Sequence, residues 1–261
     1  MIIEANGIRM NYELSGAQDA PTVVLSHSLG CGLDMWDAQV PVLQDRFRVL
    51  RYDTRGHGGT DAPEGPYTMA LLGKDALALL EALGIDEVHW IGLSMGGMIG
   101  QYIALHHAHR FKSMVLCDTA ASMPEENQPL WDERIDTARQ KGMGALVEAT
   151  MERWFTRSFL DRHPPEVNRI REQFLSTPVT GYIGCTEAIR RIDFLDGLSQ
   201  VGLPTLVMVG AGDPATPVEA ARAIHERLPD ARLVVLPSAA HLSNVEQAEA
   251  FNRSLLQFLQ S

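Results

Sequence analysis

The sequence has few cysteines. Its 261 residues contain three, Cys31, Cys117 and Cys185, and they form no CxxC pair and no zinc-like spacing with histidine. An odd number without such pairing argues against a disulfide scaffold and against a structural zinc site. We therefore expect reduced thiols in a cytoplasmic protein.

Long apolar runs and an excess of positive charge are also lacking. No apolar stretch approaches the roughly 20 residues that span a bilayer, and residues 1–7 lack the basic start and apolar run of a signal peptide. The formal net charge of −11 repels nucleic acid and anionic membrane surfaces. We expect neither as a partner, and an anionic ligand would need a local cationic patch. The oligomeric state stays open.

Apolar residues suffice for one large core. With 45% hydrophobic and 21% charged residues, the chain suits a single α/β core and falls short of two full domains. Buried β-runs alternate with helical patterns, which predicts a mostly parallel sheet covered on both faces. After an early strand at Ile2 and Ile3, the predicted strands are 8–14, 21–26, 47–53, 87–92, 112–117, 203–209 and 231–236, and the predicted helices are 68–83, 98–109, 217–228 and 244–259.

The alternation stops between residues 122 and 195. This segment, called the insert below, follows the sixth core strand and is helical and rich in Trp, Arg, Met and Glu. We predict that the insert forms a helical lid over the carboxyl ends of the strands. Residues 1–121 and 196–261 then form the core.

The strongest local signal of chemistry is Gly92-Leu93-Ser94-Met95-Gly96. It stands between a β-run and a helical pattern, and its two glycines allow a sharp turn that side chains would block. Such a turn presents the serine hydroxyl, which becomes a nucleophile when a base accepts its proton. The pattern and its placement predict Ser94 as a catalytic nucleophile in an α/β-hydrolase fold.

The base and the acid should follow this serine in the order acid, then histidine. His241 comes after the last predicted strand, at the sheet edge where ligands bind. Two carboxylates compete for the role of orienting its imidazole, because either strand end could reach it. Asp213 lies in a glycine-rich turn after the seventh core strand, and Asp118 ends the strand before the insert. We favour Asp213 and keep Asp118 as the alternative.

Backbone N–H groups should hold the negative charge that develops on the substrate oxygen. Met95 directly follows the nucleophile and supplies one such group. The loop His27-Ser28-Leu29-Gly30 follows an early strand and offers Leu29 as the second. We interpret the Arg55-Gly56-His57-Gly58 loop as a structural corner.

These motifs resemble the 3-oxoadipate enol-lactonases of the α/β-hydrolase fold, and the resemblance covers nearly the whole chain. Most of the matching motifs mark the broad superfamily, although Ser28, where many relatives carry glycine, fits this subgroup. The more specific matches lie in the insert and are Trp131-Asp132-Glu133-Arg134-Ile135, Glu152-Arg153-Trp154-Phe155 and the stretch from Gly181 to Arg190. One departure is Asp118, where the family leads us to expect asparagine. This aspartate is a reason to keep Asp118 as the alternative to Asp213 for the acid that pairs with His241.

The resemblance implies hydrolysis of 3-oxoadipate enol-lactone to 3-oxoadipate, a step in bacterial catabolism of aromatic compounds, with no metal or organic cofactor. The carboxylate of this small anionic lactone then needs a cation in the insert. Arg134 is the first candidate, flanked by Trp131, with Arg190 behind it and Trp154 as a further substrate-binding residue. The alternatives are a general carboxylesterase, a C–C-bond hydrolase of the same fold, or a non-catalytic small-molecule receptor that keeps a hydrolase pocket.

Overall fold

Eight strands form one mixed sheet in the computed structural model, which describes residues 1–260. The strands are β1 (Ile2–Ala5), β2 (Ile8–Ser15), β3 (Thr22–Ser26), β4 (Arg48–Tyr52), β5 (Val88–Leu93), β6 (Phe111–Cys117), β7 (Thr205–Gly210) and β8 (Ala231–Leu236). Their order in the sheet is β1-β2-β4-β3-β5-β6-β7-β8. Strand β2 pairs antiparallel with β1 and β4, and β3 to β8 run parallel.

Helices cover both faces of the sheet, which explains why the central strands are apolar throughout rather than alternating. The helices of the core are α1 (Val40–Leu43), α2 (Met69–Ala82), α3 (Met95–His107), α9 (Val218–Arg227), α10 (Ser243–Glu246) and α11 (Ala248–Leu259). Successive residues of β3 face different helices: Val24 packs with residues of α2, α3 and α9, whereas Val23 and Leu25 pack with residues of α1 and α11. The predicted α/β fold is confirmed.

Two helices differ from the predictions by more than one or two residues at an end. Helix α3 begins at Met95, three residues before the predicted start, because the chain enters it directly from the turn at Ser94. The predicted final helix is two helices, since Gln247 leaves helical geometry with φ −124° and ψ 47°. Tertiary contacts accompany this break: the Gln247 side chain donates to the Ser238 carbonyl, and the Glu246 carboxylate accepts from the Ala240 N–H.

The insert contributes five helices between β6 and β7. One close contact with the core joins two glycines, since a Cβ on Gly181 would lie 2.0 Å from the Gly56 carbonyl oxygen. The insert helices are α4 (Gln128–Lys141), α5 (Val147–Trp154), α6 (Arg157–Leu160), α7 (Pro165–Ser176) and α8 (Val179–Ile189). The division into core and lid stays a prediction, and residue 261 lies outside the described range.

Membrane-spanning helices are not found. Among residues 1–260, none of the helices combines the length and the apolar character needed to cross a bilayer.

Candidate active site

Ser94 lies at the junction between β5 and α3. Its backbone has φ 54° and ψ −114°, in a region that L-residues rarely adopt. The flanking glycines permit this turn, since a Cβ on Gly92 would lie 2.2 Å from the Gly96 carbonyl oxygen and one on Gly96 would lie 2.0 Å from that of Ser26. Donation of the Ser94 N–H to the Cys117 carbonyl, at 2.9 Å, also holds the turn. The local sequence therefore sets the conformation that was predicted for a nucleophile.

His241 and Asp213 form a buried hydrogen-bonded pair. The distance from His241 Nδ1 to Asp213 Oδ2 is 2.8 Å. Asp213 Oδ1 accepts the N–H groups of Ala215 and Thr216, and Oδ2 accepts the Thr216 hydroxyl at 2.7 Å. Burial acts to raise the pKa of Asp213, but the electrostatic interaction and hydrogen bond with His241, together with the Thr216 and Ala215 donors, lower it overall. This carboxylate can therefore orient the imidazole and stabilise its cation.

Asp118 makes no hydrogen bond to His241 within the described part of the chain. Its side chain is fully buried, and its oxygens accept the Gly210 N–H at 2.7 Å and the Ser243 hydroxyl at 2.5 Å. Burial and then the Asp213 charge raise the pKa of Asp118 well above its ordinary range. Asp118 thus joins the base of the Asp213 turn to the residue two positions after His241. Of the two carboxylates, Asp213 is the one hydrogen-bonded to His241, and its role as the acid stays a prediction.

Ser94 and His241 line one cavity of about 220 Å³ between the sheet edge and the insert. Ser28, Leu29 and Thr216 line its core side. Among residues 1–260 the Ser94 hydroxyl makes no hydrogen bond, and in ligand-free enzymes such catalytic contacts often tighten only when substrate binds. Within the same residues, the N–H groups of Leu29 and Met95 also have no acceptor. They remain available as the predicted pair of oxyanion donors.

The insert brings some of the predicted residues to this cavity. Trp131, Arg134 and Trp154 line it, and the Arg134 guanidinium carbon lies 4.7 Å from the centre of the Trp131 ring. Arg190 is not among the lining residues. Its guanidinium pairs with Asp132 at 2.7 Å and with Glu187 at 3.7 Å, so its prediction as a substrate-binding residue is corrected. Acidic neighbours neutralise Arg190 away from the cavity.

Arg153 is a lining residue that the sequence analysis did not select. The sequence contains a signal for it, because Arg153 and Trp154 follow Thr150 by three and four residues and so share one face of a helix with it. In the structure all three residues line the cavity. Burial, with a contribution from the Arg134 charge, lowers the pKa of Arg153 to about 10. Burial also lowers the pKa of Arg134. Neither guanidinium forms an ion pair with an acid among residues 1–260.

The Arg55-Gly56-His57-Gly58 loop is a structural corner, as predicted. Arg55 and Asp75 form a buried ion pair at 2.6 Å, and His57 Nε2 accepts the Gly30 N–H at 2.9 Å. Burial, followed by the neighbouring His27, lowers the pKa of His57 to about 3. The loop thereby supports the turn that carries Leu29.

Clusters suited to a metal ion are not seen in the described residues, where no three His, Cys, Asp or Glu side chains are suitably grouped. The expectation that the protein needs no cofactor stays a prediction.

Comparison with known proteins agrees with this architecture. Residues 21–248 match the family model of the alpha/beta hydrolase fold. The chain is 36% identical to 3-oxoadipate enol-lactonase 2 of Acinetobacter baylyi over 97% of its own length and 94% of the relative. Among solved structures, the enol-lactonase of Burkholderia xenovorans LB400 is 40% identical, with a TM-score of 0.97 and full coverage of both chains. A malate-bound thermophilic esterase of Thermogutta terrifontis is 30% identical, with a TM-score of 0.93 over 100% of this chain and 97% of the other.

The resemblance to enol-lactonases that the motifs predicted is confirmed by these comparisons. With a match that extends over most of its length, this chain belongs to the α/β-hydrolase fold family.

Proposed function

We propose that the protein is a serine hydrolase that opens the lactone ring of 3-oxoadipate enol-lactone through an acyl-enzyme. One observation carries the proposal: Ser94 and His241, which is paired with Asp213, line a cavity whose insert wall holds two arginines without acidic partners. The first feature suits acyl transfer, and the second suits an acyl substrate that carries a negative charge. Relatives named as 3-oxoadipate enol-lactonases support the same reaction.

The chemistry begins when His241 accepts the Ser94 proton and the Ser94 oxygen attacks the lactone carbonyl. The N–H groups of Leu29 and Met95 hold the oxyanion that forms. Collapse of this intermediate breaks the ring C–O bond and expels an enolate, which is a better leaving group than an alkoxide and stays tethered to the acyl chain. His241 protonates the enolate oxygen, and the resulting enol becomes the ketone.

Deacylation uses the same groups. His241 accepts a proton from water, the hydroxide attacks the acyl carbon, and the Ser94 oxygen leaves with the proton that His241 returns. Asp213 stabilises the imidazolium in both halves of the reaction. The products are the dicarboxylate and the regenerated enzyme.

The anionic group of the substrate is assigned to Arg134, with Trp131 and Trp154 forming the adjoining wall. The thermophilic esterase that is 30% identical to this chain favours a second candidate function, a general carboxylesterase. The cytoplasmic location predicted from the sequence remains a prediction.

The deciding experiment compares kcat/KM for the enol-lactone and for an aryl acetate on the purified protein, with the Ser94→Ala variant as background. We expect the enol-lactone to be the better substrate. A higher kcat/KM for the aryl acetate would assign the protein as a general carboxylesterase. Tight binding of the lactone without turnover would support the receptor alternative instead.

A further inference from the structure

The insert wall of the cavity carries more positive charge than one arginine supplies. Arg134 on α4 and Arg153 on α5 both line it, and Arg153 Nη2 donates to the Thr150 hydroxyl at 3.1 Å. Their charges interact, since Arg134 contributes to the lowered pKa of Arg153. At a pKa of about 10, Arg153 still carries its charge at neutral pH.

Compensation for these two cations within the protein is weak. Tyr182 and Glu133 act to raise the pKa of Arg134, but burial outweighs them. Trp131 adds another unsatisfied donor, because its indole Nε1 is buried and has no acceptor among residues 1–260. Partly buried charges and buried donors without partners cost free energy. In a chain of net charge −11, this concentration of unpaired donors indicates a site that an anionic ligand completes.

We propose that Arg153 forms, together with Arg134, a two-arginine carboxylate site that holds the insert-side carboxylate of both the lactone and its dicarboxylate product. One carboxylate lies between the two guanidinium groups. The other lies beside Ser94, where the N–H groups of Leu29 and Met95 have no acceptor within the described residues. This inference rests on the proposed function, because hydrolysis creates the second carboxylate at the Ser94 end. The product class therefore stays bound and competes with the substrate.

The test uses adipate and hexanoate, which have equal carbon numbers and differ by one carboxylate. Binding to the unmodified enzyme is measured by calorimetry, in the absence of turnover. We expect adipate to bind about tenfold more tightly than hexanoate, and Arg153→Met to weaken adipate by about tenfold to a hundredfold, the range of one charge-assisted hydrogen bond. Arg153→Lys keeps the charge and should retain part of the affinity, which guards against misreading a folding defect.

Arg157→Met is the matched control, since Arg157 follows α5 closely, pairs with Asp161 and has a side chain that is 81% exposed. It should leave adipate binding unchanged. If Arg153 had a purely structural role, Arg153→Met would raise KM for a neutral aryl acetate by the same factor by which it weakens adipate binding. That result overturns the proposal. Equal binding of adipate and hexanoate to the unmodified enzyme overturns it as well. If the enzyme opens the lactone but binds adipate and hexanoate equally, the two-arginine site is wrong and the proposed reaction stands. If adipate binding depends on Arg153 but the lactone is not turned over, the proposed reaction is wrong and the two-arginine site stands.

Discussion

Ser94 adopts a backbone conformation that costs free energy to maintain. A non-glycine residue at φ 54° and ψ −114° is strained by about 1–3 kcal/mol. The surrounding bonds hold it there, including donation of the Thr119 hydroxyl to the Ser94 carbonyl at 2.8 Å. Such strain is typical of residues whose side chain must be presented in one direction.

Replacing Ser94 by alanine should abolish turnover and leave the fold intact. The change removes the atom that forms the acyl-enzyme but keeps the backbone of the turn. We expect kcat to fall on the order of 10⁴-fold or more, as for the loss of other catalytic serines. Steady-state kinetics and circular dichroism together check this. Activity within tenfold of the unmodified enzyme would rule Ser94 out as the nucleophile.

The two buried carboxylates should respond differently to substitution by asparagine. Asp213→Asn removes the group that fixes the imidazole tautomer, and in chymotrypsin-type proteases the equivalent change lowers kcat about 10⁴-fold. Asp118→Asn keeps an oxygen for the Gly210 N–H and an amide for Ser243, so most activity should remain. The measurement is kcat for both variants. If Asp118→Asn were the inactive one, the acid would have been assigned to the wrong strand.

Arg134 should discriminate between anionic and neutral substrates. We predict that Arg134→Ala lowers kcat/KM for the enol-lactone about tenfold to a hundredfold, the range of one charge-assisted hydrogen bond. The neutral aryl acetate should be almost unaffected. Arg139→Ala is the control, since Arg139 also lies on α4 but is exposed and pairs with Asp136. An equal loss for both substrates would show that Arg134 only supports the insert.

At the scale of the element, α8 packs closely against the core. Gly56 and Gly181 meet backbone to backbone, and a Cβ on Gly184 would lie 2.7 Å from the Tyr67 ring. Helix α8 also carries Tyr182, which lines the cavity. Small residues at this contact therefore set how closely the insert wall approaches Ser94.

Gly181→Ala should separate α8 from the loop at Gly56. Because a Cβ at this position would lie 2.0 Å from a carbonyl oxygen, we expect a loss of about 1–3 kcal/mol in the free energy of unfolding, typical of overpacking. Gly144→Ala is the matched control, since a Cβ there has no neighbour within 4 Å. Urea denaturation measures both. Equal stabilities of the two variants would mean that α8 moves at no cost.

At the scale of the whole molecule, acidic residues outnumber basic ones. One buried acid, Asp118, makes the free energy of unfolding depend on pH. Burial and the Asp213 charge raise the pKa of Asp118. Above the pKa of the unfolded chain, Asp118 therefore keeps its proton in the folded state after the unfolded chain has released it. Its contribution to the free energy of unfolding is thus complete below the ordinary aspartate pKa of about 3.9. It is lost as the pH rises toward the folded pKa.

Asp118→Asn should therefore become more stable relative to the unmodified protein as the pH rises above about 4. The asparagine cannot titrate, so it escapes the loss that the aspartate suffers. Urea denaturation at several pH values between about 4 and 8 gives the difference in unfolding free energy, with the exposed Asp19→Asn as control. A difference that stays constant with pH would show that Asp118 is ionised in the folded protein.

The sequence by itself determined the features that depend on local chemistry. The glycines around Ser94 specify its turn, and the order of Ser94, Asp213 and His241 follows from strand ends that share one edge of a parallel sheet. The alternating β and helical patterns likewise specified the α/β fold. Thr68, predicted as the first residue of a helix, instead precedes it and caps it, with its hydroxyl accepting the Leu71 N–H.

Only the tertiary structure decided which distant side chains meet. The fold brings His241 into hydrogen-bonding contact with Asp213 and places Asp118 between Gly210 and Ser243. It also turned Arg153 toward the cavity and paired Arg190 with acids outside it. Helical spacing fixes which residues share a face, but the neighbour of that face depends on how the insert packs on the core. For this reason the sequence predicted the hydrogen-bonded pair of His241 and Asp213 near Ser94, but only one of the two arginines that line the cavity.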